Sequence, residues 1–134
     1  VPDNVTVVPR CCDSREVARA LASADAMIHA GTRETFGLVA LEAMACGLPV
    51  IAARAGALIE NVPLGGGILC EPLNPADMAR AVEELFINDV QASGRHARRY
   101  VERRFRWENV IDGLLDHYTA LVPNTAASSF SRHG

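Results

Sequence analysis

Hydrophobic and polar positions along this chain follow two spacings in turn, and each switch between them marks an element. Asn4–Val8 is β-branched and apolar, with Pro9 as a stop, and predicts a first strand. Val17, Ala20, Leu21 and Ala24 then recur at helical spacing behind Asp13 and Glu16, which stand three apart as in a capping box. Asp25–Ala30 predicts a second strand, and Gly31–Glu34 a polar loop. From Gly37 to Cys46 every side chain but Glu42 is apolar, around the whole helical circumference, so a buried helix is expected, ended by Gly47 and Pro49. Pro49–Ala53 has the continuous apolar character of a strand covered on both faces. A polar loop with a helical turn follows over 54–61, then Gly65, Gly66 and Gly67 as a mobile turn, then a strand at Ile68–Cys70. Asn74 as N-cap with Pro75 behind it opens a helix to Ile87, with Met78, Ala81, Val82, Leu85 and Phe86 on one face. Two more helices are expected, over 90–105 and 107–122, and 123–134 reads as a disordered tail. Strands alternating with helices predict an α/β fold with a parallel sheet and helices on both faces.

Composition narrows the picture. A chain of 134 residues, 49% hydrophobic, holds one core and is too short for two ordinary domains. No apolar run reaches the roughly 20 residues that a spanning helix needs, and no secretory leader is visible. A net charge of -3 with 5% aromatics argues against a nucleic-acid binder. The four cysteines, Cys11, Cys12, Cys46 and Cys70, have no C-x-x-C pairing and the histidines do not complete a zinc pattern. Cys46 and Cys70 read as buried, reduced core residues, which suits a cytoplasmic protein.

The candidate chemistry lies in Glu34 and Glu42. A carboxylate on an apolar helix is costly to bury unpaired, so Glu42 is expected to face a polar cleft or a ligand. Eight helical residues would set the two carboxylates about 12 Å apart. That is too far for a retaining glycosidase pair, which sits roughly 5–5.5 Å apart, and better suited to gripping two ends of a long polar ligand. Between them the free N–H groups around Gly37, Leu38 and Val39 would favour an anion such as a diphosphate. Gly37 leaves that approach unblocked.

The run E-T-F-G-L-V-A-L-E-A-M-A-C-G-L-P-V-I closely resembles the E-x7-E signature of glycosyltransferase family 4, the retaining nucleotide-sugar enzymes of the GT-B fold. The resemblance extends over roughly residues 4–122. It implies the latter part of a Rossmann-like C-terminal nucleotide-sugar-binding domain, lacking its first strands and spanning 1–122 here. By that resemblance Glu34 is catalytic, beside the transferred hexose and the positive charge developing at its anomeric carbon. Glu42 would bind the ribose hydroxyls, and the backbone amides of Phe36, Gly37 and Leu38 the sugar and diphosphate. The family implies a nucleotide-diphosphate sugar as donor, with no metal and no other cofactor. His29-Ala30-Gly31 is similar to bacterial mannosyltransferase-type members, which points to a mannose or glucose type of hexose and a hydroxyl acceptor. Ala57 departs from a commonly found second glycine, while Glu60 is kept.

The family's diphosphate-neutralising Arg and Lys and its N-terminal acceptor-binding domain would precede Val1, so this piece alone is expected to be inactive. The alternative is a non-catalytic nucleotide-sugar-binding or interaction module of the same fold. His29 divides evenly between a structural residue and a site-lining group, and Arg33 reads as a solvated neighbour. Arg95, Arg99, Arg103 and Arg106 form a basic stripe that reads mainly as a solvated face, with an anionic membrane surface as the sharper, membrane-peripheral alternative.

Overall fold

The computed structural model describes residues 2–8 and 13–121. Pro9, Cys11, Cys12 and the expected tail at 123–134 lie outside the described residues, as does the domain limit at 122. The chain forms two compact units, Val1–Glu102 and Arg103–Gly134.

The first unit is built on three parallel strands, β1 (Met27–His29), β2 (Val50–Ala53) and β3 (Gly67–Cys70), in the order β1-β2-β3. In register, His29 lies opposite Ala52, and Ala53 opposite Cys70. The strands therefore end along one rim, and the loops that leave β1 and β2 emerge side by side. Helix α1 (Ser14–Ala22) precedes β1, α2 (Leu38–Ala45) and the short α3 (Leu58–Asn61) come between the strands, and α4 (Pro75–Ile87) and α5 (Val90–Arg104) follow β3. Strand β2 is buried at every position, as its unbroken apolar run requires of a central strand. Met44, Ile51, Leu58, Val50 and Pro49 are the largest fully buried side chains.

Local signals place most helix ends. The Asp13 side chain caps α1 by accepting from the Arg15 amide at 2.8 Å. Asn74 caps α4 by accepting from the Asp77 amide at 3.0 Å, with Pro75 in the first turn. Gly47, at φ +86°, ends the turn after α2. Cys70 is buried, and its thiol donates to the Ala52 carbonyl at 3.3 Å. Burial, then the charge of Asp77, pushes that thiol up from its ordinary value, so it stays a neutral core group.

Three expectations are corrected. Residues 5–8 form no strand: Val5, Val7 and Val8 are exposed, and no ladder partner holds them among the described residues. Composition favours a strand, but only a neighbouring strand can satisfy its backbone. The helix carrying Glu42 is not buried all round. Its inner face, Ala40, Leu41, Ala43 and Met44, is in the core, whereas Leu38 is 62% exposed and Glu42 is also exposed. The sheet and its neighbours cover only one side of α2, so Glu42 carries no burial penalty. The glycine turn is tightly packed rather than loose. A Cβ on Gly66 would press on the Ala97 backbone and one on Gly67 would overlap the Val50 carbonyl, so glycine lets β3 and α5 close in.

In the second unit α6 (Trp107–Leu121) buries no residue, and Trp107, Ile111, Leu114, Tyr118 and Leu121 are exposed along it. No helix among the described residues is long and apolar enough to cross a membrane.

Candidate functional site

Because β1 and β2 are parallel neighbours, the loop after β1 (30–37) meets the loop after β2 (54–57) at the rim. The meeting is made by backbone. The Ala57 amide donates to the Glu34 carbonyl at 3.0 Å, and a Cβ on Gly56, which sits at φ +53°, would overlap that same carbonyl. Gly56 is thus required twice, by its left-handed conformation and by the close approach. Ala57, which stands where a second glycine was anticipated, has φ -64° and ψ -16°, so its methyl group costs nothing there.

Four residues on, Asn61 fastens the other end of the first loop. It is 8% exposed, and its side-chain amide donates to the Phe36 carbonyl. Gly37, at φ +78°, turns the chain into α2 directly above Leu58, where an added Cβ would lie 3.4 Å from Leu58 Cδ2 and 3.5 Å from Asn61 Nδ2. The carbonyl of Gly37 accepts from the amides of Ala40 and Leu41, and the helix start carries no side-chain cap. The uncapped start of α2 thus lies next to the exposed Phe36 and Leu38. Leu38 and Glu42 are four apart and share the exposed helix face.

Glu34 projects from the fastened loop. Its Oε1 lies 3.1 Å from His29 Nε2, and the two side chains are 33% and 14% exposed. The Gly31 amide donates to the other ring nitrogen of His29 at 3.1 Å. The structure therefore brings Glu34, Phe36, Gly37 and Leu38 into one rim segment, with His29 behind Glu34, and sets Glu42 one helical turn beyond Leu38 on an open surface. A concavity of about 650 Å³ lies elsewhere, between β3 and the α4–α5 junction, and includes neither glutamate. On α5, Arg95 of the arginine stripe lies 3.7 Å from Asp89, and Arg98, beside the stripe, donates to Glu102 at 2.9 Å.

Asn61, the residue that ties the loop down, carries no local mark in the sequence. A polar side chain between Ile59 and Val62 is an ordinary helix-end composition, and its partner is 25 positions away. Replacing Asn61 with Ala leaves the Phe36 carbonyl without its donor and is expected to destabilise the fold by about 1–3 kcal/mol. Urea denaturation reads this directly, and faster amide exchange over residues 34–38 should accompany it.

Comparison with known proteins bears on the family and the fold. Residues 1–107 match the family model of glycosyl transferases group 1. Among relatives, a D-inositol 3-phosphate glycosyltransferase of Geodermatophilus obscurus is 41% identical over 109 residues, covering 80% of this chain and 24% of that protein. A GDP-mannose-dependent alpha-(1-6)-phosphatidylinositol dimannoside mannosyltransferase of Mycobacterium tuberculosis is 37% identical over 116 residues, covering 84% and 29%. Among solved structures, sucrose-phosphate synthase from Thermosynechococcus elongatus superposes with a TM-score of 0.78 at 32% identity, over 89% of this chain and 30% of that one. Anabaena HepE in complex with UDP-glucose gives 0.65 at 30% identity, over 77% and 29%. The chain thus spans about a quarter of the length of the relatives it matches. With four-fifths of its residues under one family model and the same α/β architecture in its structural neighbours, the chain belongs to the glycosyl transferases group 1 family.

Proposed function

We propose that this chain is the donor-gripping part of a retaining hexosyltransferase of glycosyltransferase family 4, GT-B in architecture. The whole enzyme moves a mannose- or glucose-type hexose from a nucleoside diphosphate to a hydroxyl acceptor. The observation that carries the reading is the fastened segment 34–38: a carboxylate one-third exposed, a glycine turn and an uncapped helix start on one rim, in the chemical order that a sugar diphosphate presents. In support, HepE is known in complex with UDP-glucose, and the mycobacterial relative is named as GDP-mannose-dependent.

In this reading the donor diphosphate lies against the start of α2, where amides of Phe36, Gly37 and Leu38 meet its oxygens and the helix dipole favours its charge. As the bond between the anomeric carbon and the diphosphate oxygen lengthens, negative charge collects on the leaving group and positive charge on the sugar. Preorganised amides stabilise the first and the Glu34 carboxylate the second, with no covalent sugar–enzyme intermediate and no metal assigned a step. Glu42, a turn further along the same face, accepts hydrogen bonds from the ribose hydroxyls. A longer polypeptide contributes the acceptor-binding domain and the cationic groups that neutralise the diphosphate.

The test is donor binding to the full-length enzyme by calorimetry, with UDP-glucose and GDP-mannose as probes. Glu42→Ala removes a charged acceptor from two hydroxyl donors and should weaken the preferred donor by about 10- to 100-fold. An unchanged Kd would remove Glu42 from the donor site, and failure of the wild type to bind either probe would overturn the donor-site reading for the hexoses named.

A further inference from the structure

We propose that His29 is a positioning residue for Glu34, locked as the neutral tautomer that carries its proton on Nε2. This rests on the reading of Glu34 as the carboxylate that meets the sugar. The lock follows from which groups are able to donate. At 3.1 Å from His29 Nδ1 stands the backbone amide of Gly31, which has a proton and no lone pair to offer. Nδ1 must therefore present its lone pair, and a neutral ring then places its only N–H on Nε2. That nitrogen is 3.1 Å from Glu34 Oε1, and a carboxylate oxygen accepts. Every proton in the series Gly31, His29, Glu34 thus points the same way.

Two further observations show that the arrangement is built. The His29 side chain is 14% exposed at the end of β1, so little of the ring is left for water to solvate. Residue 31 is glycine at a place where a Cβ would lie 2.6 Å from His29 Cε1, so any larger residue would push the ring off its amide. Among the described residues no other group hydrogen-bonds the Glu34 carboxylate, and its side chain is one-third exposed. His29 therefore holds one oxygen of Glu34 and leaves the other without a hydrogen-bond partner among the described residues. A ring whose single proton is already committed to Glu34, and whose second nitrogen is committed to Gly31, is not a proton shuttle. Its contribution is aim.

The experiment uses the full-length enzyme and three variants. His29→Phe keeps a flat ring but has no donor; His29→Gln carries an amide N–H where Nε2–H stood; Glu34→Gln probes the carboxylate itself. With the donor sugar nucleotide saturating, His29→Phe should lower kcat by about 10- to 100-fold while the KM for donor moves less than about threefold, and His29→Gln should recover most of the loss. A residue that merely fills space would show neither the split nor the rescue. In the wild type labelled with 15N at histidine, the His29 signals should show an unprotonated Nδ1 and a protonated Nε2, a readout that needs no turnover. An Nδ1–H tautomer or an imidazolium at neutral pH would overturn the lock. Wild-type kcat in His29→Phe beside a crippled Glu34→Gln would overturn the positioning role alone. Normal turnover in Glu34→Gln would instead remove the catalytic reading of Glu34, and with it anything for His29 to aim.

Discussion

Glu34→Gln in the full-length enzyme is expected to lower kcat by about 10²- to 10³-fold while leaving donor affinity within a few-fold of the wild type. The substitution is chosen because it changes charge and little else. The amide keeps a carbonyl oxygen at the place where Oε1 accepts from His29 Nε2, and the Glu34 backbone, fastened to Ala57, is untouched. On the proposed reading, what disappears is the negative charge that would face the anomeric carbon as it becomes cationic, while donor binding would rest on the helix start and Glu42, so kcat should fall without a matching rise in Kd. Single-turnover kinetics with the radiolabelled donor separate the two. A variant that turns over at the wild-type rate would show that the carboxylate contributes only to the loop.

Gly56→Val is expected to cost about 2–5 kcal/mol of stability and to abolish turnover together. The residue sits at φ +53°, a conformation that penalises an L side chain by about 1–2 kcal/mol and a β-branched one most. Its Cβ would also overlap the Glu34 carbonyl, and forced repacking of that kind costs about 1–3 kcal/mol. Moving the Glu34 loop away from the rim would relieve the overlap but not the strain within residue 56, so the loop is displaced and stability still falls. Urea denaturation measures the stability, and a variant that is as stable as the wild type would show that the loops part easily.

The sequence made the outline of the fold legible wherever the cause is local. Gly47 and Pro49 end α2, Asn74 and Pro75 begin α4, and the apolar run 50–53 is buried because a central parallel strand has no other option. It misled where a partner at long range decides the outcome. Val5–Val8 have the composition of a strand and no neighbour to pair with among the described residues. The helix carrying Glu42 reads as buried all round, yet only one side of it meets the core. The segment 34–38 could be named from its residues, but its fastening could not. Gly56, Ala57 and Asn61 reach Glu34 and Phe36 across some twenty or more positions, through main-chain oxygens that carry no trace in the side-chain pattern.

That fastening has a consequence for how sugar preference can change. The rim segment is tied down through the carbonyls of Glu34 and Phe36, atoms that every amino acid possesses, while the side chains of Thr35 and Phe36 lie on the surface. On the proposed reading, substitutions at position 35 can therefore reshape what a hexose would touch without loosening the frame beneath it, and a library directed at that position should retain folding while it samples new donors.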